Sequence, residues 1–298
     1  MTDYYGRPVI KKPVWTPEIP AYFFFGGMAG ASAGLAFVAE ATGNDVLARR
    51  AWGVSLIGIT ASPPLLISDL GVPSRFLNML RMFKVTSPMS VGSWILSGSG
   101  TMTGIAAANA FTGLFPGAAR LAKPGAALFG LPLATYTGAL IANTAVPVWH
   151  EARQTLPLLF ASGAAASAGA AATIATPVRA AGPARRLALF GAAGELVNSA
   201  VMQHRLGPLA KPYREGRSGS LSRAATALTV AGGAILGRWG SRRRAAAGLG
   251  GAALLAGAAT ERFAVFHAGI ASAEDPQQTV GPQRERLTAR DGQLSAAA

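Results

Sequence analysis

Eight apolar stretches, each near the ~20 residues a helix needs to cross a bilayer, decide what this chain can become. They run over 20–41, 51–70, 88–114, 124–148, 156–177, 185–204, 221–238 and 245–268 of the 298 residues. Backbone amides in lipid must be satisfied within their own segment, so stretches of this length are helices. The pattern predicts an all-α, polytopic protein of the cell membrane with eight transmembrane helices. It leaves extramembrane segments at 1–19 and 271–298, with the residues after Arg290 disordered. Only 13% of residues are charged, about half the share of a soluble chain. A net charge of +14 would suggest nucleic acid in a soluble protein. Here the basic residues sit in connections between spans, so membrane lipid and orientation account for them and no nucleic-acid partner is expected. The first residues carry no signal-peptide pattern, and the first helix is expected to serve as the insertion signal.

The connection from Asp69 to Trp94, DLGVPSRFLNMLRMFKVTSPMSVGSW, is polar and basic between two apolar runs. Arg75, Arg81 and Lys84 alternate with Phe76, Leu77, Met79, Leu80, Met82 and Phe83 at three- and four-residue spacing. That spacing predicts a short amphipathic helix over 71–85 on the membrane surface, or a basic loop between spans. Gly71 suits a helix C-cap, and Ser87-Pro88 suits an N-cap followed by the first helical position.

Eight spans return both termini to one side, called side A. The Lys and Arg total favours side A as cytoplasmic, although side B is denser in charge per residue. The same parity gathers Glu18, Asp69, His150, Glu151, His204 and His267 at side A. Such residues cap helices at interfaces, but their one-sidedness marks a candidate functional face. Inside the spans, Glu195 and Asn198 stand out, because an ionisable residue in lipid is a functional candidate by default. Tyr136 and Asn143, seven residues apart, share one helical face, and His150 seven further on extends a polar line to side A. Interhelical hydrogen bonding would explain the same residues. Gly26, Gly27, Gly30 and Gly34 have small-xxx-small spacing and predict close helix packing.

Some chemistries are disfavoured. The chain has no Cys, so it cannot hold a thiolate-ligated iron–sulfur cluster. Three His at helix ends offer at most one axial pair, so no haem is expected. No His-x-x-x-His or similar cluster points to a metal.

Four segments carry a family likeness: WTPEIPAYFFFGGMAGAS (15–32), the 69–94 connection, PVWHEARQTLPLLFASGAAA (147–166) and ERFAVFHAGIASAEDP (261–276). They resemble the NrfD/polysulfide reductase membrane subunit family. The resemblance implies two four-helix bundles, here 20–148 and 149–270, and no haem. It implies a site for quinone or quinol, menaquinone or ubiquinone, near the face where a ferredoxin-like four-cluster iron–sulfur subunit docks. That subunit would connect to a molybdenum or tungsten catalytic subunit of formate dehydrogenase or polysulfide reductase type. Family members place polar residues of the first helix start and a Tyr of the fourth helix around the quinone head. Glu18 and Tyr136 match those places, with Glu18 standing where some members have His. The resulting expectation is a quinone-reactive membrane subunit, itself non-catalytic or quinone-reactive within an oxidoreductase complex of anaerobic respiration. Glu18, Tyr136 and His150 would bind quinone, and Asp69, Glu151, Glu195 and Asn143 would carry protons. Arg75, Arg81, Lys84 and Arg153 would dock the partner or lipid head groups. The alternatives are a proton or solute transporter using Glu195, and a passive anchor.

Overall fold

A computed structural model describes residues 9–280, and all regular structure among them is helical. Eight helices have 20 residues or more: α1 (Glu18–Ala41), α2 (Asp45–Asp69), α4 (Pro88–Thr112), α5 (Pro116–Ala142), α7 (Leu156–Ala175), α8 (Gly182–Leu206), α10 (Gly216–Trp239) and α11 (Arg244–Glu274). Three short ones, α3 (Arg75–Met79), α6 (Pro147–Glu151) and α9 (Lys211–Arg214), sit in connections. Among the described residues five helices are long and apolar enough to cross a membrane: α1, α2, α5, α7 and α11. α4, α8 and α10 are of similar length but more polar, α4 through Ser and Thr, α8 and α10 through Arg.

Small residues set the packing. α1, α2, α4 and α5 pack on one another, as do α7, α8, α10 and α11, and α1 and α5 meet α7 across the middle. A Cβ at Gly30 of α1 would run into the backbone of Gly130 of α5, so these two helices touch main chain to main chain. Gly169 and Gly191 do the same for α7 and α8, and Gly232 and Gly250 for α10 and α11. Lipid tails are as apolar as Leu, so close packing of this kind, not exclusion of water, holds membrane helices together. Gly34, expected to join the packing stripe, faces no neighbour within 4 Å.

Connections at one end of the molecule are short, spanning 42–44, 113–115, 176–181 and 240–243. At the other end they are long and folded, spanning 70–87, 143–155 and 207–215. The long connections lie at the end predicted as side A. There Asp69 Oδ1 accepts hydrogen bonds from the Thr16 backbone N–H (2.8 Å) and hydroxyl (2.7 Å). Lys12 pairs with Glu274 at 2.7 Å, so the entry segment is tied to the ends of both α2 and α11. Gly71 takes a left-handed φ of 67° just past α2, and the Ser87 hydroxyl accepts from the Ser90 N–H at the start of α4, as the sequence predicts.

Three expectations need correction. The fourth apolar stretch is not one helix over 124–148. α5 ends at Ala142, and Pro147 bars a helical Val146 and opens α6 instead. The amphipathic helix expected over 71–85 shrinks to Arg75–Met79, with Leu77, Met82 and Phe83 all exposed. α11 runs on to Glu274, past the end expected at 268, so His267 lies two turns inside the helix. Residues 281–298, where the disordered tail is expected, lie outside the described residues.

Candidate functional site

A pocket opens beneside side A between α1, α2, α4 and α5. Its walls are Trp15, Ile19, Tyr22, Phe23, Leu66, Asp69, Met79, Met89, Ser93 and Tyr136, with Leu70 and Leu140. Each wall has a local cause. Trp15 is held by stacking on Trp149, with ring centroids 5.7 Å apart and planes 23° from parallel. Trp149 is itself fully buried, donates from Nε1 to the Val265 carbonyl (2.9 Å), and fills the space left by Gly269, where a Cβ would strike its indole. Tyr136 is seated by Gly92, whose missing Cβ leaves room for the phenol ring. Asp69 closes one side through its bonds to Thr16.

The polar equipment is sparse and specific. Tyr22 is buried, and its hydroxyl has no hydrogen-bond partner. Glu18, one turn nearer the surface on the same face of α1, has a buried Oε2 also without a partner. A buried polar atom left unpaired costs free energy, and few persist without a reason such as a ligand or water. The cavity measures about 40 Å³, room for a few waters at the ~10–15 Å³ each requires. Anything larger must displace a wall, and Met79 and Met89 are the walls that give most easily, being unbranched and flexible. Met89 is also half-exposed.

The sequence-predicted residues divide. Tyr136 and Asp69 line this pocket, and Glu18 stands beside it. Asn143 and His150 do not join them. The helix breaks at Asn143, so the expected polar line from Tyr136 through Asn143 to His150 is interrupted, and both residues are exposed. Glu151 lies on α6 beside Arg153, at 3.8 Å. Arg75, Arg81, Lys84 and Arg153 are exposed on the side-A surface. Tyr22 is the residue that reading the sequence missed. It lies in a run of aromatics, and only its missing partner in three dimensions distinguishes it from packing.

Glu195 sits elsewhere, in the second group of helices. It is buried and faces Arg262 of α11, with Oε1 to Nη1 at 3.9 Å. Arg262 donates from Nη2 to the Phe160 carbonyl (2.8 Å) and lies 4.1 Å over the Phe160 ring. Glu261, also buried, accepts from Ser199 at 3.2 Å. Asn198, the other polar residue flagged in this span, donates to Ser162 at 3.0 Å. Among the described residues no group of three or more His, Asp or Glu is arranged to hold a metal ion.

A family model described as polysulfide reductase, of the NrfD type, matches residues 1–274. The chain belongs to that family, and so is a multi-pass integral membrane protein of the kind that serves as membrane subunit in molybdoenzyme complexes; the family partners with iron–sulfur and molybdenum catalytic subunits. Neither a curated protein nor a solved structure matches it.

Proposed function

We propose that this NrfD-family chain is the quinone-reactive subunit of its complex, passing electrons between the membrane quinone pool and an iron–sulfur subunit docked on side A. All eight long helices would span the bilayer, in two four-helix bundles over 20–148 and 149–270. The observation that carries the reading is the Tyr22 hydroxyl, buried without a partner in the wall of an otherwise apolar pocket. An apolar slot with few polar groups is what a flat aromatic head requires. Ile19, Phe23, Leu66 and Leu140 offer apolar walls for the ring. Tyr22 and Tyr136 offer hydroxyl donors to carbonyl oxygens, and Glu18 lies one turn toward water as a proton carrier.

A bound quinone would supply two-electron, two-proton chemistry. This chain's residues hold the ring, exclude lipid and bulk water around it, and move protons between Glu18 and the surface. The pocket's depth supports the assignment. Tyr22 lies four residues into α1, ~6 Å along the helix at 1.5 Å per residue. A site at the opposite end would be a bilayer away, ~30 Å, and a chain without Cys has no thiolate-ligated cluster to bridge it. Arg75, Arg81, Lys84 and Arg153, exposed on the long connections of side A, supply the docking surface. The catalytic partner would be of formate dehydrogenase or polysulfide reductase type.

The test is Tyr136→Phe in the assembled complex. Quinone-coupled turnover should fall, while activity with an artificial dye at the catalytic subunit persists. Equal loss of both would indicate disturbed assembly, and no change in either would make Tyr136 a packing residue.

A further inference from the structure

The buried ionic group of the second helix set is separate from the quinone pocket, and its charges do not balance. Two carboxylates, Glu195 and Glu261, are buried with a single guanidinium, Arg262: Glu195 faces it at 3.9 Å, Glu261 is its neighbour along α11, and all three side chains are nearly inaccessible. With both carboxylates ionised the group would carry one uncompensated negative charge deep in the helices. Glu195 lies 11 residues before the end of α8 and Glu261 13 before the end of α11, ~16 and ~20 Å along their helices. An unpaired charge there is far costlier than a neutral acid. Among the described residues Arg262 is the only buried Lys or Arg. α7 contributes no ionisable side chain, only the Phe160 carbonyl and ring. α9 contributes Tyr213, buried with an unpartnered hydroxyl, while its Lys211 and Arg214 are exposed, Arg214 on the wall of the cleft described below. Arg217 and Arg223 of α10 are exposed, and His204 and Arg205 lie in the last turn of α8.

Three further features mark the group as built. Both oxygens of Glu195 lack a hydrogen-bond partner, as do Nε and Nη1 of Arg262. Gly163 of α7 makes the space: a Cβ there would strike Glu195 Oε1 and come within 2.6 Å of Arg262 Nη2. An open cleft reaches the group from side A, lined by Leu196, Ser199, Gln203, His204, Arg214 and Thr226. Ser199 is both a wall of that cleft and the donor to Glu261 Oε1. A hydroxyl in that position can accept a proton from water on one side while donating on the other.

We propose that Glu195, Glu261 and Arg262 form a single-proton store, loaded from side A along the cleft through Ser199. One carboxylate is neutralised by Arg262 and the other by the stored proton. Loading converts one carboxylate to the acid and leaves the group electrically neutral. The store is independent of the quinone assignment, since it needs neither quinone nor a partner subunit.

The test is infrared difference spectroscopy of the purified full-length chain in an ester-free detergent, without quinone. The wild type at neutral pH should show one protonated-carboxyl C=O band from the store. Glu195→Gln and Glu261→Gln should each abolish it, because the one remaining carboxylate is then balanced by the charge of Arg262 and needs no proton. Ser199→Ala should keep the band but slow its shift in D₂O several-fold. Absence of the band in the wild type, or its survival in both Gln variants, would overturn the store. Unchanged exchange in Ser199→Ala would overturn the route. Loss of the band on replacing potassium chloride by sodium chloride would also overturn the proposal, making sodium the occupant. Wild-type spectra and the salt comparison remain decisive even if a Gln variant fails to fold. Tyr136→Phe leaves the band untouched, so failure here and failure of the quinone reading are told apart.

Discussion

Removing the Tyr22 hydroxyl should have opposite effects on the empty protein and on quinone binding. The hydroxyl is buried and unpaired. Leaving such a group unsatisfied costs roughly 1–3 kcal/mol. Tyr22→Phe removes that cost and keeps the ring, which packs on Phe23 with centroids 6.0 Å apart. The quinone-free protein should therefore be unchanged or more stable, by up to ~1–3 kcal/mol. Bound quinone, by contrast, loses one hydrogen bond worth ~0.5–1.5 kcal/mol. At ~1.36 kcal/mol per tenfold, Kd should rise roughly two- to thirteen-fold. Thermal unfolding in detergent without quinone measures the first effect. Titration with a short-chain quinone, read by quenching of intrinsic Trp fluorescence, measures the second, Trp15 being in the pocket wall. If Tyr22→Phe destabilises the quinone-free protein and leaves Kd unchanged, the hydroxyl has another partner and the pocket is not the quinone site.

Asp69 was expected in a proton route, but Oδ1 already accepts two hydrogen bonds from Thr16. Asp69→Asn should keep both bonds and most quinone turnover, while Asp69→Ala should free the entry segment and speed Thr16 amide exchange; loss of turnover in Asp69→Asn would restore the proton role. Gly130→Ala should destabilise by ~1–3 kcal/mol, the usual cost of overpacking, because the new Cβ meets the Gly30 backbone. Gly34→Ala, with open space around it, should be neutral or mildly stabilising, and equal melting temperatures for the two variants would contradict the packing described. Photo-cross-linkers at Arg81 or Lys84 should capture an iron–sulfur subunit, and capture only from Arg242 would move the docking face to the other end.

The helices were legible because lipid forces the issue: an apolar run near 20 residues must be helical, and the observed ends fall within a few residues of the expected ones at most places. α2 starts six residues early, at Asp45, and α11 ends six late, at Glu274, while both departures at α5 involve proline. Pro116 starts α5 earlier than its apolar run does, and Pro147 cuts off what looked like its last turn. The surface connection was misjudged for another reason. Phe76, Leu77, Met82 and Phe83 have helical spacing, but a helix holds in water only if its apolar face is covered, and no residue of α3 is buried.

Depth explains why Glu261 and Arg262 escaped notice. With the last span ending at 268, Glu261 and Arg262 fall in its last two turns, where charged residues are ordinary. The helix runs six residues further, to Glu274, and both side chains are buried among the neighbouring helices. Adjacent residues on a helix point ~100° apart, so a Glu-Arg dipeptide can address two neighbours at once. Glu261 reaches Ser199 of α8, while Arg262 reaches Phe160 of α7 and Glu195. Glu195 alone reads from sequence as an isolated carboxyl, and isolated carboxyls in lipid suggest transport. Set against Arg262 and Glu261, it becomes one member of a group whose charge is off by one, and that imbalance, not burial, is what calls for a proton.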